Sequence, residues 1–229
     1  MQKSIYIESM ENITWFGHAS FMFQDNLTGL KIYYVDPFQL PQDKNLQKAD
    51  IIFVTHAHHD HLSLGDIDYL LKDDTVVVAT PDSLETLKIT QEKFPVMPNK
   101  TYAVKDFSFQ TVPAYNTHPE KQSFHPKSNN WVGYIFDVNG KRLYHAGDTD
   151  FIPEMNTFDK FNIDYALLPM GGTYTMDVEE MIKAANVIKA KYIVPMHYRM
   201  LLGERAHAAE EKLQKEVKNS EVVILKEFK

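Results

Sequence analysis

The stretch Ile51-Ile52-Phe53-Val54-Thr55-His56-Ala57-His58-His59-Asp60-His61-Leu62 sets four histidines and one aspartate within six positions, directly after an apolar run. Four apolar, mostly β-branched residues followed by a polar turn read as a buried strand ending in a loop. Imidazole nitrogens and carboxylate oxygens are donors for divalent first-row metals, and a strand-end loop can converge several of them on one point. A merely exposed histidine-rich loop has the same local composition. Further histidines and aspartates recur where other apolar runs give out, as in Tyr144-His145-Ala146-Gly147-Asp148-Thr149-Asp150 and Ile193-Val194-Pro195-Met196-His197-Tyr198, and that recurrence favours a metal site.

The remaining composition narrows the chemistry. With no cysteine among 229 residues, disulfides, thiolate catalysis and thiolate zinc sites are excluded, so a metal must be held by His, Asp or Glu. A formal charge of −7 without a dense Lys/Arg cluster argues against a nucleic-acid partner that relies on phosphate neutralisation. No apolar stretch approaches the roughly 18 residues of a membrane span, and Met1-Gln2-Lys3-Ser4-Ile5 lacks the apolar core of a secretory signal, so a cytoplasmic protein is expected. Hydrophobic residues make up 44% of the chain, no Pro/Gly/Ser-rich linker divides it and no repeat is evident; residues 1–229 read as a single domain.

Strand-like runs recur at Ile13 to Phe16, Phe21 to Phe23, Ile32 to Val35, Ile51 to Val54, Thr75 to Ala79, Phe107 to Val112, Trp131 to Val138, Arg142 to His145, Tyr165 to Leu168, Tyr192 to Val194 and Val222 to Leu225. Helical spacing is clearest from Asp177 to Ala190, where Asp177 and Glu180 stand at cap and N3 positions, and again from about Glu204 to Lys218. Shorter helices are expected near Leu64 to Leu71 and Ser83 to Thr90. Pro113 to Asn130 shows no period and carries both His118 and His125; a loop of that length in a compact domain reads as an active-site wall.

The order His-x-His-x-Asp-His, a loop histidine, Gly-Asp-Thr and a final Pro-x-His resembles the motif series of the metallo-β-lactamase-fold hydrolases, from about Ile13 to His197. Thr14-Trp15-Phe16-Gly17-His18-Ala19-Ser20 followed by Val35-Asp36-Pro37 is similar to the branch of small hydrolases related to the ascorbate-phosphate lactonase and phospholipase-D-like enzymes. That resemblance implies an α+β, four-layer αβ/βα sandwich of two mixed sheets with helices outside. It also implies two divalent metals, with zinc expected and manganese, iron or cobalt admissible for this donor set. Carried over residue by residue, His56, His58 and a loop histidine would hold the first metal, Asp60, His61 and His197 the second, and Asp148 would bridge them. For the loop histidine, His125 is preferred to His118, because its seven-residue separation from the strand starting at Val132 is similar to that in the family. His118 then reads as a surface residue or a substrate contact.

Such a site would hydrolyse an ester, lactone or phosphodiester of a small molecule with a metal-bridged hydroxide, since two cations lower the pKa of water from about 15.7 toward 7. Asp60 is expected to orient the nucleophile and His18 to assist the leaving group, although a turn histidine explains His18 equally. Asp36 could accept a hydrogen bond from a ligating imidazole, while an Asp-Pro turn alone also accounts for it. Tyr174 and Tyr198 are candidates to line a pocket; His59 and His207 read as surface residues and His145 as core. The competing readings are a nucleic-acid-processing metallo-hydrolase, a di-iron redox protein and a noncatalytic binding member of the fold. Oligomeric state is not legible.

Overall fold

The computed structural model describes residues 12–27 and 29–229, together with the backbone of 6 and 7; the N-terminal Met1 to Ile5 read above lies outside the described residues. The first half of the chain supplies β1 (Tyr6–Ile7), β2 (Ile13–Gly17), β3 (Ser20–Asp25), β4 (Lys31–Val35), β5 (Ile51–Val54), β6 (Val76–Ala79) and β7 (Glu92–Pro95), with α1 (Leu64–Leu70) and α2 (Pro81–Thr86) between the later strands. The second half supplies β8 (Thr101–Val104), β9 (Phe107–Pro113), β10 (Val132–Val138), β11 (Lys141–His145), β12 (Tyr165–Pro169), α3 (Val178–Ile188), β13 (Tyr192–Met196), α4 (Arg199–Leu202), α5 (Ala206–Glu216), β14 (Glu221–Val222) and β15 (Ile224–Leu225). They form a six-stranded sheet ordered β2-β3-β4-β5-β6-β7, a seven-stranded sheet ordered β14-β13-β12-β11-β10-β9-β8, and the short pair β1-β15.

Both large sheets are mixed in the same way. β2, β3 and β4 pair antiparallel, as do β8 through β11, whereas β4 through β7 and β11 through β14 run parallel. The central parallel strands are buried on both faces, which explains why they read as unbroken apolar runs. Side chains alternate across a strand, so Ile51 and Phe53 enter the core between the sheets while Ile52 and Val54 join a second core with Ile67 and Leu70 of α1. Phe53 lies at the centre of the inter-sheet layer, with ring centroids 5.1 Å from Phe109 and 5.1 Å from Tyr134. Truncating such a residue to alanine costs about 3–5 kcal/mol. On the other side of the sandwich α3 buries Met181, Ile182, Ala185 and Ile188, and its first turn is closed by the Asp177/Glu180 capping box expected from the sequence. The four-layer, two-sheet architecture is therefore the expected one.

Several elements differ from expectation. β7 and β8 were not anticipated, because they are edge strands, and Glu92-Lys93-Phe94-Pro95 shows the charge and proline with which edges are blunted. α2 begins at Pro81 rather than Ser83 and stops at Thr86, since proline is pre-organised for a first helical turn. The run Val222 to Leu225 is two strands, β14 against β13 and β15 against β1. Pro153–Phe161 forms a 3-10 segment whose Asn/Thr/Asp composition gave no helical period. Among the described residues no helix is long and apolar enough to cross a membrane.

The carboxyl ends of the parallel strands of both sheets meet at one edge of the sandwich, where ligands bind in open α/β sheets. The Thr55 carbonyl after β5 accepts a 3.2 Å hydrogen bond from the Val132 amide at the start of β10. The His18 carbonyl between β2 and β3 accepts a 2.9 Å bond from the His197 amide after β13. These cross-links bring distant segments of the sequence together at that edge.

Candidate metal centre

His56, His58, Asp60 and His61 leave the end of β5 on one tight turn, in which the amides of His61 and Leu62 donate to the His58 carbonyl at 3.0 and 2.8 Å. Asp148 follows β11 after Gly147, whose φ is +62° and whose hypothetical Cβ would lie 3.0 Å from the Thr55 side chain. Only glycine suits that left-handed backbone at such close approach. His197 follows β13 with φ +54°, and His125 comes from the floor of the long loop. His56, His61, His125, Asp148 and His197 are all buried.

Their donor atoms converge. His56 Nε2 stands 3.0 Å from His58 Nδ1, and His125 completes a three-histidine group with them. His18, Asp60, His61 and His197 form a second group. Asp148 faces both: Oδ2 lies 3.2 Å from His125 Nε2 and 3.1 Å from His197 Nε2, and Oδ1 lies 3.3 Å from His61 Nε2. Nε2 of His61, His125 and His197 and Oδ1 of Asp148 are nevertheless buried with no hydrogen-bond partner. Orphaned polar atoms are costly to bury, and several aimed at one small volume fit a cation there.

Behind these atoms lie their orienting groups, as metal-binding imidazoles require. Asp36 Oδ2 is 2.7 Å from His61 Nδ1 and accepts the Thr55 hydroxyl at 2.7 Å, while Oδ1 accepts the Thr55 amide at 2.8 Å. Thr55 Oγ1 is in turn 2.9 Å from His56 Nδ1. His125 Nδ1 is held 2.8 Å from Asn116 Oδ1, and Asn116 Nδ2 donates to Asp150 Oδ1 at 3.0 Å. Sequence reasoning missed Thr55, Asn116 and Asp150; the last carries a signal in hindsight, as a second aspartate in Gly-Asp-Thr-Asp. Trp131 covers His56 and His58 with ring centroids 4.8 and 4.9 Å away.

The electrostatics follow from burial and proximity. Burial pulls the His61 pKa down, but the Asp148 and Asp36 carboxylates outweigh it and hold the imidazole well above its ordinary range. Burial opposes Asp148 ionisation, yet His197 and His61 beside it keep its carboxyl well below the usual value. His197 is pushed up to about 9, against burial, by Asp148 and Asp60. His56 is driven well below its ordinary value by burial and by its neighbour His61, and His58 is lowered by burial and His125. Burial also lowers His18, whose Nε2 lies 2.9 Å from Asp60 Oδ2.

Other residues read from the sequence fall outside the cluster. The His118 ring bonds Glu180 Oε1 at 3.0 Å, half-exposed, while its backbone amide bonds Asp150, so it is pinned rather than free. Tyr174 is partly exposed against Phe124, 4.9 Å between centroids, and its carbonyl accepts from Asn116. Tyr198 is fully buried, stacked 6.1 Å from Trp15, with its hydroxyl on Glu210. His59 points outward, and His145 is buried with Nε2 2.9 Å from the Ala19 carbonyl.

The beta-lactamase superfamily domain matches this chain over residues 12–197. A UPF0173 metal-dependent hydrolase of Methanoculleus marisnigri is 35% identical over 190 residues, covering 81% of this chain and 80% of that protein. Another, of Pyrococcus furiosus, is 33% identical over 201 residues, covering 82% and 85%. Among solved structures, a candidate metal-dependent hydrolase from Parabacteroides distasonis superposes with a TM-score of 0.81 at 32% identity, over 95% of this chain and 93% of its own.

Proposed function

The chain belongs to the beta-lactamase superfamily as a metal-dependent hydrolase, and from that premise we propose that residues 1–229 form one hydrolase domain holding two zinc ions, which cleaves an ester, lactone or phosphodiester of a small molecule. The observation that carries this reading is the set of buried, unpartnered Nε2 atoms of His61, His125 and His197, converging with Oδ1 of Asp148.

His56, His58 and His125 would hold one ion and Asp60, His61 and His197 the other. Asp148 supports a pair rather than a single ion, because its carboxylate lies against His125 of the first group and against both His61 and His197 of the second. Zinc suits a donor set dominated by imidazole. When bound, the ions supply hydroxide at neutral pH and polarise the substrate oxygen.

The chain's own groups orient and move protons. Asp36 fixes the proton of His61 on Nδ1, and Asn116 does the same for His125, so that each Nε2 keeps its lone pair for the centre. Trp131 and the buried floor of the long loop exclude water behind the first group, which strengthens every charge interaction there. His18 is neutral near pH 7 and carries its proton on Nε2 against Asp60 Oδ2. That N–H would offer a hydrogen bond to negative charge on a departing oxygen, which takes its proton from solvent, and Asp60 keeps the imidazole oriented.

A hydrolysis screen over lactones, carboxylic esters and phosphodiesters with zinc-replete protein tests the reading. Turnover of one class that disappears with a chelator and returns with zinc is expected. Failure of every class with two ions bound would overturn the hydrolytic reading of the site.

A further inference from the structure

Beside the second metal group, a cleft of about 490 Å³ opens against His18. Its wall joins the turn after β2, the segment after β4, α4 and the C-terminal residues. Phe38 is the link to the reacting centre, with its ring 5.6 Å from His18 and 6.2 Å from His59. Across the cleft, Phe228 meets Phe16 edge to face at 5.7 Å, and its amide is tied to the Trp15 carbonyl at 2.7 Å, so the aromatic wall is fixed in place. Phe228 is 43% exposed and Met200 62% exposed, an unusual concentration of open apolar surface beside a polar centre.

The charges at the rim are already matched. Glu227 Oε2 lies 3.1 Å from Lys229 and Oε1 3.7 Å from Arg199, while Asp43 lies 3.5 Å from Lys44. Arg199 is further engaged by Glu210 at 3.2 Å and by the Leu225 carbonyl at 3.1 Å. An anionic group entering the cleft therefore finds no uncommitted cation among these residues, whereas a neutral apolar group gains the faces of three phenylalanines and a methionine. The volume falls in the range of small-molecule sites, roughly 300–1,000 Å³, and the walls combine apolar faces with a polar, charge-paired rim.

We propose that this cleft receives the neutral apolar portion of the substrate, an aryl or medium-length alkyl group whose ester, lactone or phosphodiester linkage then lies at the metal centre beside His18. The inference rests on the hydrolytic reading of that centre but can be tested apart from it. Met200, on a flexible and adaptable side chain, fits variable apolar shapes, and Phe38 sets where the apolar group ends and the reacting linkage begins.

The experiment is ligand-observed NMR of 2-naphthol with the zinc-replete full chain, in the natural sequence and in Phe228→Ala and Met200→Glu, two variants at exposed positions that leave the core intact. The expected result is saturable binding that weakens about tenfold or more in each variant. In parallel, the ratio of kcat/KM for phenyl acetate to that for methyl acetate falls by a similar factor in both. Absent naphthol binding, or equal binding in all three proteins, overturns the proposal. So does a dimer, seen by sedimentation, that Met200→Glu dissolves while naphthol never binds, since the cleft then belongs to a second copy of the chain. Naphthol binding with no turnover of any lactone, ester or phosphodiester would instead sink the hydrolytic reading and leave the apolar site standing.

Discussion

Nδ1 of His61 lies 2.7 Å from Oδ2 of Asp36, and both side chains are wholly buried. Asp36 closes β4 in a left-handed backbone conformation, φ +47°, with its amide on the Phe53 carbonyl. The same carboxylate grips Thr55, so one residue sets the direction of His61 and the exit of the chain from β5. Replacing Asp36 with alanine is expected to weaken zinc binding about 10–100-fold. Competition against a chromophoric chelator measures it, and an unchanged affinity would show that the contact only shapes a turn.

His125 and His118 separate cleanly by their partners. His125 points an unpartnered Nε2 at Asp148, whereas His118 spends its ring on Glu180. Elemental analysis of His125→Ala should show about one zinc per chain fewer than the natural protein, and His118→Ala no loss. The reverse pattern would exchange their roles.

The metal-free protein should carry a protonated imidazole where a metal would sit. His197 is raised to about 9, so its contribution to stability is complete below its ordinary pKa of about 6.5 and is lost as pH rises through about 9. Asp148 acts oppositely: depressed in the folded chain, it stabilises above the ordinary carboxylate pKa, and that contribution is lost as pH falls toward its lowered value. Urea unfolding of metal-free protein should accordingly show a lower midpoint at pH 9.5 than at pH 7. Zinc must displace the His197 proton and that of His61, which is raised as well, so its affinity should rise by at least about tenfold per pH unit between pH 7 and 8.5. A flat affinity profile would place no proton on that imidazole.

Tyr198 tests the reassignment of a residue first read as pocket-lining. Its buried hydroxyl bonds Glu210 and accepts from Arg199 Nε at 3.1 Å. Tyr198→Phe should destabilise the fold by about 1–3 kcal/mol in chemical denaturation while zinc content stays the same. A loss of zinc without a loss of stability would return the residue to the site.

The buried half of the architecture was legible because its signals are local. Ile51 to Val54 is short, apolar and followed at once by histidines, and the capping box at Asp177 and Glu180 is a three-residue spacing. The edge strands β7 and β8 were not, since Glu92 and Lys93 carry the polarity that protects an edge and so conceal a strand. The side chains that converge at the candidate centre were visible as chemistry at the ends of apolar runs. Their supports were hidden because Asn116 and Asp150 are 34 residues apart and meet only through tertiary structure. Tyr198 shows the limit of neighbourhood in sequence: it follows His197 directly, yet it is buried against Trp15 with its hydroxyl on Glu210.

The most direct test of a paired centre is titration of the metal-free protein with zinc while following hydrolysis of a responsive ester. Activity should climb to a plateau at two equivalents per chain, because Asp148 reaches both groups of histidines and neither group is complete alone. A plateau at one equivalent, or full turnover with no metal added, would contradict the account.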